Sequence, residues 1–296
     1  MLVAVTEHGS LSAAGRALRV PLATLSRKIA ELETVVGARL LIRTTRKLML
    51  TDAGMAYVAA ARRILEQVEE AERTAAGEFI EPRGELTLTA PLMFGRLHVL
   101  PLVAQFLASH ADITIRLILS DSNVDLLGDH VDMAIRIGQL PDSAMVATQV
   151  GAMRLVACAS PALLARLGTP QRPNDLAHFP CVALTSPMPS PNWQFRDPQS
   201  GALLSLAVQA RLAITHPEAA VDAARQSVGV ARVLQYQAAQ AVRQGQLEII
   251  LVQFEPPPAP VHLLHASRGQ MPLKMRRFLD FAAPRLRQVL HDIAAP

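Results

Sequence analysis

Residues 10–51 constrain this chain more than any other stretch: SLSAAGRALRVPLATLSRKIAELETVVGARLLIRTTRKLMLT. Two short helical patterns flank a break at Arg19-Val20-Pro21, and a basic hairpin pattern follows. Ser10 stands where a hydroxyl accepts a free backbone N–H, so a helix is expected over 12–18. Its Ala13, Ala14 and Ala17 are small and let a second helix approach closely. Pro21 lacks an N–H and suits the first turn of that second helix, expected over about 22–33. There Leu25, Ile29 and Leu32 recur at steps of four and three and form the buried face. Ala23, Thr24, Ser26, Arg27 and Lys28 fall toward the outer face or its margins. Past Gly37, Leu40-Leu41-Ile42 reads as a short strand, Arg43-Thr44-Thr45-Arg46-Lys47 as a basic turn, and Leu48-Met49-Leu50 as the returning strand. This is the layout of a winged helix-turn-helix, a module that sets its second helix in the DNA major groove and its wing along the phosphates. The candidate DNA contacts are Ser10, Ser12, Leu22, Ala23, Thr24, Ser26 and Arg27 on the helices, and Arg43, Thr44, Thr45, Arg46 and Lys47 on the wing. The alternative is an ordinary helical hairpin with a solvated basic face, which leaves the wing unexplained.

The charge distribution agrees. Residues 1–54 hold eight basic and four acidic side chains, an excess of four that equals the formal net charge of the whole chain. The remainder is neutral, so the positive excess sits where phosphates would be met.

From 55 to 77 a long helical pattern places Tyr57, Ala61, Ile64, Val68 and Ala71 at alternating steps of four and three. Such a heptad seam suits pairing with a second helix. A homodimer is therefore expected, and two copies would match a palindromic site. Glu81-Pro82-Arg83-Gly84 ends the helix as a linker. Beyond it, strand patterns at 85–90, 113–119, 133–137, 155–159, 181–184, 205–210, 229–233 and 261–265 alternate with helical ones at 94–109, 123–128, 217–227, 235–244 and 273–291. The alternation argues for a mostly parallel sheet covered by helices. Some 210 residues exceed one small sheet, so two lobes are expected.

Other classes are disfavoured. Half of the residues are apolar, yet no uninterrupted run reaches bilayer length. Glu7 and His8 interrupt any N-terminal apolar core, so no secretory signal is expected and the chain reads as cytoplasmic. The two cysteines, Cys158 and Cys181, lie in apolar strand-like runs and read as buried free thiols rather than a disulfide framework. His262 and His265 stand three apart on a strand, which turns them to opposite faces, so they share no metal. No glycine-rich phosphate loop or nucleophile elbow is present. No enzyme activity, cofactor, metal site or membrane partner is expected.

Taken together, these tracts resemble the LysR-type transcriptional regulators over essentially the whole length. EHGSLSAAGRAL, VPLATLSRKIAELE and GARLLIRTTRKLMLTDAG are similar to that family's DNA-binding domain. GELTLTAP resembles the first strand of its effector-binding domain, and DSNVDLLGDHVDMAIRIGQLPDSAMVATQVG, RLVACASPALLARLGTP and MPLKMRRFLDFAAPRLR are close to tracts of one subgroup. The resemblance implies an α/β chain: a winged helix-turn-helix over 1–54, a linker helix over 55–83, and a two-lobed effector domain over 84–296, like type 2 periplasmic binding proteins. Lobe I would take about 85–157 and 263–296, and lobe II about 158–262, with a small effector between them. It also implies double-stranded operator DNA as partner, a homodimer or homotetramer, and RNA polymerase as a further candidate partner. Relatives usually carry several residues before the segment matching Met1–Glu7, so a shortened first helix is implied. Leu22 stands where a glutamine able to pair with adenine is common, which leaves contact with a thymine methyl there.

Open α/β sheets bind ligands at strand ends. The candidate effector contacts are accordingly Leu92, Met93 and Phe94 after the first strand, Ile137 and Gly138 after the third, and Thr185 and Ser186 after the Cys181 strand. His216 before a helix, and Val233 and Leu234 at a further strand end, complete them. The N–H groups at 92–94 open a helix and are candidates to meet an anion.

Overall fold

The computed structural model describes residues 1–43, 48–75, 81–121, 131–140, 145–185, 192–265 and 271–294. The side chains of 43, 63, 66–67, 69–71 and 73–75 are outside that description. So are the predicted helix at 123–128 and the candidate contacts Thr44, Thr45, Arg46, Lys47 and Ser186. The chain divides into two compact units, Met1–Glu81 and Pro82–Pro296.

The first unit runs α1 (Leu2–Glu7), α2 (Leu11–Leu18), α3 (Leu22–Val36), β1 (Leu41–Arg43), β2 (Leu48–Leu50) and α4 (Asp52–Ala75). Ser10 caps α2, its Oγ accepting the Ala13 N–H at 3.1 Å. α3 continues to Val36 because nothing before Gly37 breaks it; Gly37 supplies the left-handed C-cap at φ 71°. α4 begins at Asp52, ahead of the expected start, because Thr51 Oγ1 accepts the Gly54 N–H at 2.9 Å and caps it. Val5, Ala14, Leu25, Ile29, Leu40 and Val58 form the core, so α4's first turns belong to this unit. β1 and β2 pair antiparallel, Leu41 opposite Leu50.

The second unit holds two five-stranded sheets. The first contains β3 (Gly84–Ala90), β4 (Ile113–Leu119), β5 (Met133–Ile137), β6 (Val146–Met153) and a late strand, β14 (Ala259–His265), in the order β4-β3-β5-β14-β6. Between β3 and β4, α5 (Leu92–Phe94) passes through a π turn (Gly95–Val99) into α6 (Leu100–Ser109). This stretch is apolar enough to cross a membrane by length and composition. Its Phe94, Val99, Leu102, Val103 and Phe106 are instead buried in the core of this lobe.

The second sheet contains β7 (Leu155–Ala159), β8 (Cys181–Leu184), β11 (Ala210–Ile214), β12 (Val230–Leu234) and β13 (Glu248–Ile250), in the order β11-β8-β12-β7-β13. α7 (Pro161–Leu167), α8 (Pro217–Arg225) and α9 (Gln235–Arg243) lie between its strands in sequence, and β9 (Asn192–Arg196) with β10 (Leu203–Ala207) makes a separate hairpin. α10 (Leu273–Ala294) follows β14 and returns Met275, Phe278, Leu286 and Leu290 to the core of the first lobe.

The sheets are mixed rather than mostly parallel. β3 is parallel to β4 and β5, but β14 is antiparallel to β5 and β6; likewise β8 is parallel to β11 and β12, but β7 is antiparallel to β12 and β13. The reversal follows from the chain crossing between sheets twice, at Arg154 and between β13 and β14, since a returning strand runs back along its neighbour. The single strand expected over 205–210 also divides: β10 belongs to the hairpin and β11 to the second sheet.

Candidate functional site

In the first unit the helix pair turns at Arg19, which adopts the left-handed conformation at φ 55°; the Val20 N–H then donates to the Gly15 carbonyl at 2.9 Å. A Cβ on Gly15 would lie 2.9 Å from the Val20 carbonyl oxygen, so only glycine admits the turn this closely. Beyond it the N-terminal half of α3 is open: Leu22, Ala23, Arg27 and Lys28 are exposed, and Thr24 and Ser26 are half-buried. Leu25 and Ile29 are sealed in the core. Glu31 reaches both cations, 2.9 Å from Lys28 Nζ and 3.8 Å from Arg27 Nε, and the Lys28 hydrogen bond holds its carboxyl below the usual range. Ser10 and Ser12 are exposed at the start of α2. Glu33 Oε1 accepts the N–H groups of Leu40 (2.8 Å) and Leu41 (3.0 Å), which ties the far end of α3 to β1.

On α4, Tyr57 packs against the core of the unit, Ala61 is half-buried, and Ile64, Leu65 and Val68 are 60, 50 and 47% exposed. Ala71 lies on the same helix with its side chain outside the description.

In the second unit a cavity of about 230 Å³ opens between the lobes. The first lobe contributes Pro91, Ser120, Asp121, Arg136 and Ile137. The second contributes Leu155, Leu184, Arg232, Val233 and Leu234 from its strands, Thr215 and Pro217 from the entry to α8, and Tyr236 and Gln237 from α9. Ile137, Val233 and Leu234 were legible as strand ends. The other candidates stand elsewhere. Phe94 is buried edge-on to Tyr236, with ring centroids 5.6 Å apart. Gly138 donates to the Pro260 carbonyl, and Thr185 uses its hydroxyl on the Ile214 carbonyl at 3.2 Å. His216 is exposed as the residue before α8. The α5 N-terminus meets an anion from its own chain: the Leu92 N–H donates to Asp121 Oδ1 at 2.9 Å.

Among the lining residues that sequence reasoning missed, Arg136 and Arg232 carried a signal. Each is a lone cation inside an otherwise apolar strand (MAIRI and VARVL), and that is the signal that would have found them, since arginine is rarely buried without a partner. Arg136 Nη1 donates to the Ile135 carbonyl at 3.1 Å, while its Nη2 is buried with no hydrogen-bond partner among the described residues. Burial lowers its pKa, and the charge of Asp121 opposes that. Arg232 lies 6.0 Å from the Trp193 ring centroid and 5.9 Å from that of Phe195, and its Nε likewise finds no partner among the described residues. Loss of hydration pulls it down to about 10. Tyr236 is buried and accepts a hydrogen bond from Gln237 Nε2 at 3.3 Å; burial pushes its phenol well above the usual range, so it stays a neutral hydroxyl. The Gln237 carbonyl oxygen accepts the Leu234 N–H at 2.9 Å.

Two ion pairs tie the second unit together. Arg154, at the first crossing, makes a two-pronged pair with Glu255, at the second: Nε to Oε2 at 2.7 Å and Nη2 to Oε1 at 2.6 Å. At the rim, Arg96 of the π turn meets Glu218 of α8 at 2.6 Å. The first fastens the two crossings to each other, and the second joins the π turn of one lobe to the start of α8 in the other. Cys158 and Cys181, by contrast, flank β12 and point into different cores, so they form no pair.

Comparison with known proteins gives a consistent picture. Residues 1–55 match the bacterial regulatory helix-turn-helix family of LysR type, and residues 80–287 match the LysR substrate binding domain. An HTH-type transcriptional regulator of Xanthomonas campestris pv. campestris is 33% identical over 97% of this chain and 84% of that protein. The probable HTH-type transcriptional regulator LtrA of Klebsiella pneumoniae is 31% identical over 95% of this chain and 91% of its own length. Among solved structures, CrgA, a LysR-type transcriptional regulator from Neisseria meningitidis, superposes with a TM-score of 0.61 at 29% identity, covering 96% of both chains.

Proposed function

The chain belongs to the LysR family of bacterial transcriptional regulators, and we propose that it works as a homodimer or homotetramer on a palindromic operator, switched by a small molecule in the cleft of its second unit. The observation that carries this reading is the cavity at the junction of two sheets, joined among the described residues by two crossings and lined by polar groups from both lobes. A ligand touching both lobes favours one lobe angle over another by its differential affinity, and coupling of about 1–3 kcal/mol suffices for a useful switch. The exposed half of α3 reads the major groove through Leu22, Ala23, Thr24, Ser26 and Arg27. Ser10, Ser12 and the wing residues Arg43, Thr44, Thr45, Arg46 and Lys47 hold phosphates. Pairing of α4 through Ala61, Ile64, Val68 and Ala71 sets the spacing of the two reading helices. RNA polymerase is the proposed downstream partner, the cytoplasm the proposed site of action, and the protein itself carries no enzymatic activity.

A gel shift on the DNA flanking its own gene tests the reading. Arg27→Ala and Arg46→Ala together are expected to weaken binding by about tenfold or more and to lower the salt slope by about 0.9 for each phosphate no longer neutralised. An unchanged shift with both replaced, at moderate salt, overturns it.

A further inference from the structure

The charge lining the cavity says what kind of molecule it takes. Three ionised side chains face it among the described residues: Asp121, Arg136 and Arg232. Asp121 stands close enough to Arg136 to oppose its loss of hydration, and the two offset each other. The rim pair Arg96–Glu218 is internally neutral. Arg232 is left over. Its neighbours are the faces of Trp193 and Phe195, and neither ring neutralises a cation. A guanidinium withdrawn from water without a carboxylate is costly, and the fork of donors it presents matches a carboxylate in shape. Ile137, Leu155, Leu184 and Val233 supply apolar wall, while Ser120, Thr215 and Gln237 add polar but uncharged groups. The Tyr236 hydroxyl, kept neutral by burial, adds an uncharged polar contact.

We propose that the effector is a small monocarboxylate with an apolar body, its anionic group neutralising Arg232 and its body lying against Ile137, Leu155, Leu184 and Val233. This rests on the reading of the cleft as the effector site and adds the chemical class. One negative charge is required, because one positive charge is uncompensated; a second would meet Asp121. The size is bounded as well. The volume of about 230 Å³ suits a single ring or a short chain.

The test is titration calorimetry of the full-length protein with hexanoate, benzoate and phenylacetate at millimolar concentrations, each beside its uncharged amide, and with inorganic phosphate. At least one acid is expected to bind while its amide and phosphate do not. Arg232→Met is expected to weaken that acid by about tenfold or more, the effect of losing a charge-assisted pair. The same variant is expected to melt, ligand-free, at or above the wild-type temperature, because an uncompensated charge has been removed. Arg232→Gln provides a second variant should the first not fold. Amides binding as tightly as acids, an Arg232 variant binding the acid as tightly as wild type, or no acid binding at all overturns the proposal. Gel shifts on the same wild-type preparation separate the two readings. Protein that shifts its operator and ignores every acid sinks the carboxylate alone, whereas protein that shifts no DNA sinks the proposed function.

Discussion

At the scale of single residues, the most demanding positions are those where backbone approaches backbone. Gly54, in the first turn of α4, faces the Leu40 carbonyl so closely that a Cβ would overlap it. Gly54→Ala is expected to cost about 1–3 kcal/mol of stability in the first unit, as overpacking does. A thermal melt showing no loss would contradict this packing. Buried titratable groups set the pH limits. Burial pushes the thiols up, Cys158 to about 12 and Cys181 to about 11. Below the ordinary value of 9.0 both folded and unfolded chains hold these protons; above it the unfolded chain releases them first, so stability falls as pH rises further. His98 and His265 are held below their ordinary 6.5 by burial, so the unfolded chain takes up protons first as pH drops and stability falls on that side too. The melting temperature is therefore expected to peak between about pH 7 and 9, and replacing both cysteines by alanine should flatten the alkaline limb. An alkaline limb unchanged in that variant would show that the thiols contribute nothing there. Few residues of the cavity were legible: Ile137, Val233 and Leu234 follow from strand ends, but Arg136 and Arg232, one residue before those ends, and Tyr236, just after one, were not, because only the fold brings the two segments to one space.

At the scale of elements, strong periodicity read well and weak periodicity did not. α2, α3, α4 and α10 carry clear apolar stripes. β6 (VATQVGAM) interleaves glycine and polar groups, and β9 (NWQFR) alternates cleanly but over five residues with two buried, too short a window to stand out as a strand. β10 and β11 merged into one expected strand because alternation along the chain carries no sign of a change of sheet. The seam of α4 makes a sharper prediction. Tyr57 is committed to the core of its own unit, while Ile64, Leu65 and Val68 keep about half of their surface in water. Ile64→Asp is expected to shift the protein toward monomer in sedimentation and to weaken operator binding, since a charge in a coiled-coil seam loses its hydration. A variant that sediments as wild type would place the dimer contact elsewhere.

At the scale of the whole molecule, the second unit is a pair of lobes fastened at the hinge by Arg154–Glu255 and latched at the rim by Arg96–Glu218. The two pairs differ in burial. The hinge pair is 31% and 14% exposed and two-pronged; the rim pair is 60% and 42% exposed, and such surface pairs contribute about 0–1 kcal/mol. Arg96→Ala is accordingly expected to leave folding intact and to shift the effector dose–response by at most about fivefold, because the latch is weak. A much larger shift would mean that Arg96 has a role beyond the latch. By itself the sequence determined many of the local elements, the helix-turn-helix and the family, because each is written in short windows by periodicity, caps and breakers. Only the tertiary structure decided the mixed sheets, the hinge clamp and the two arginines of the cleft. Those depend on which distant strands become neighbours: a cation in an apolar strand marks each arginine in the sequence, but only the fold brings the two to one cleft.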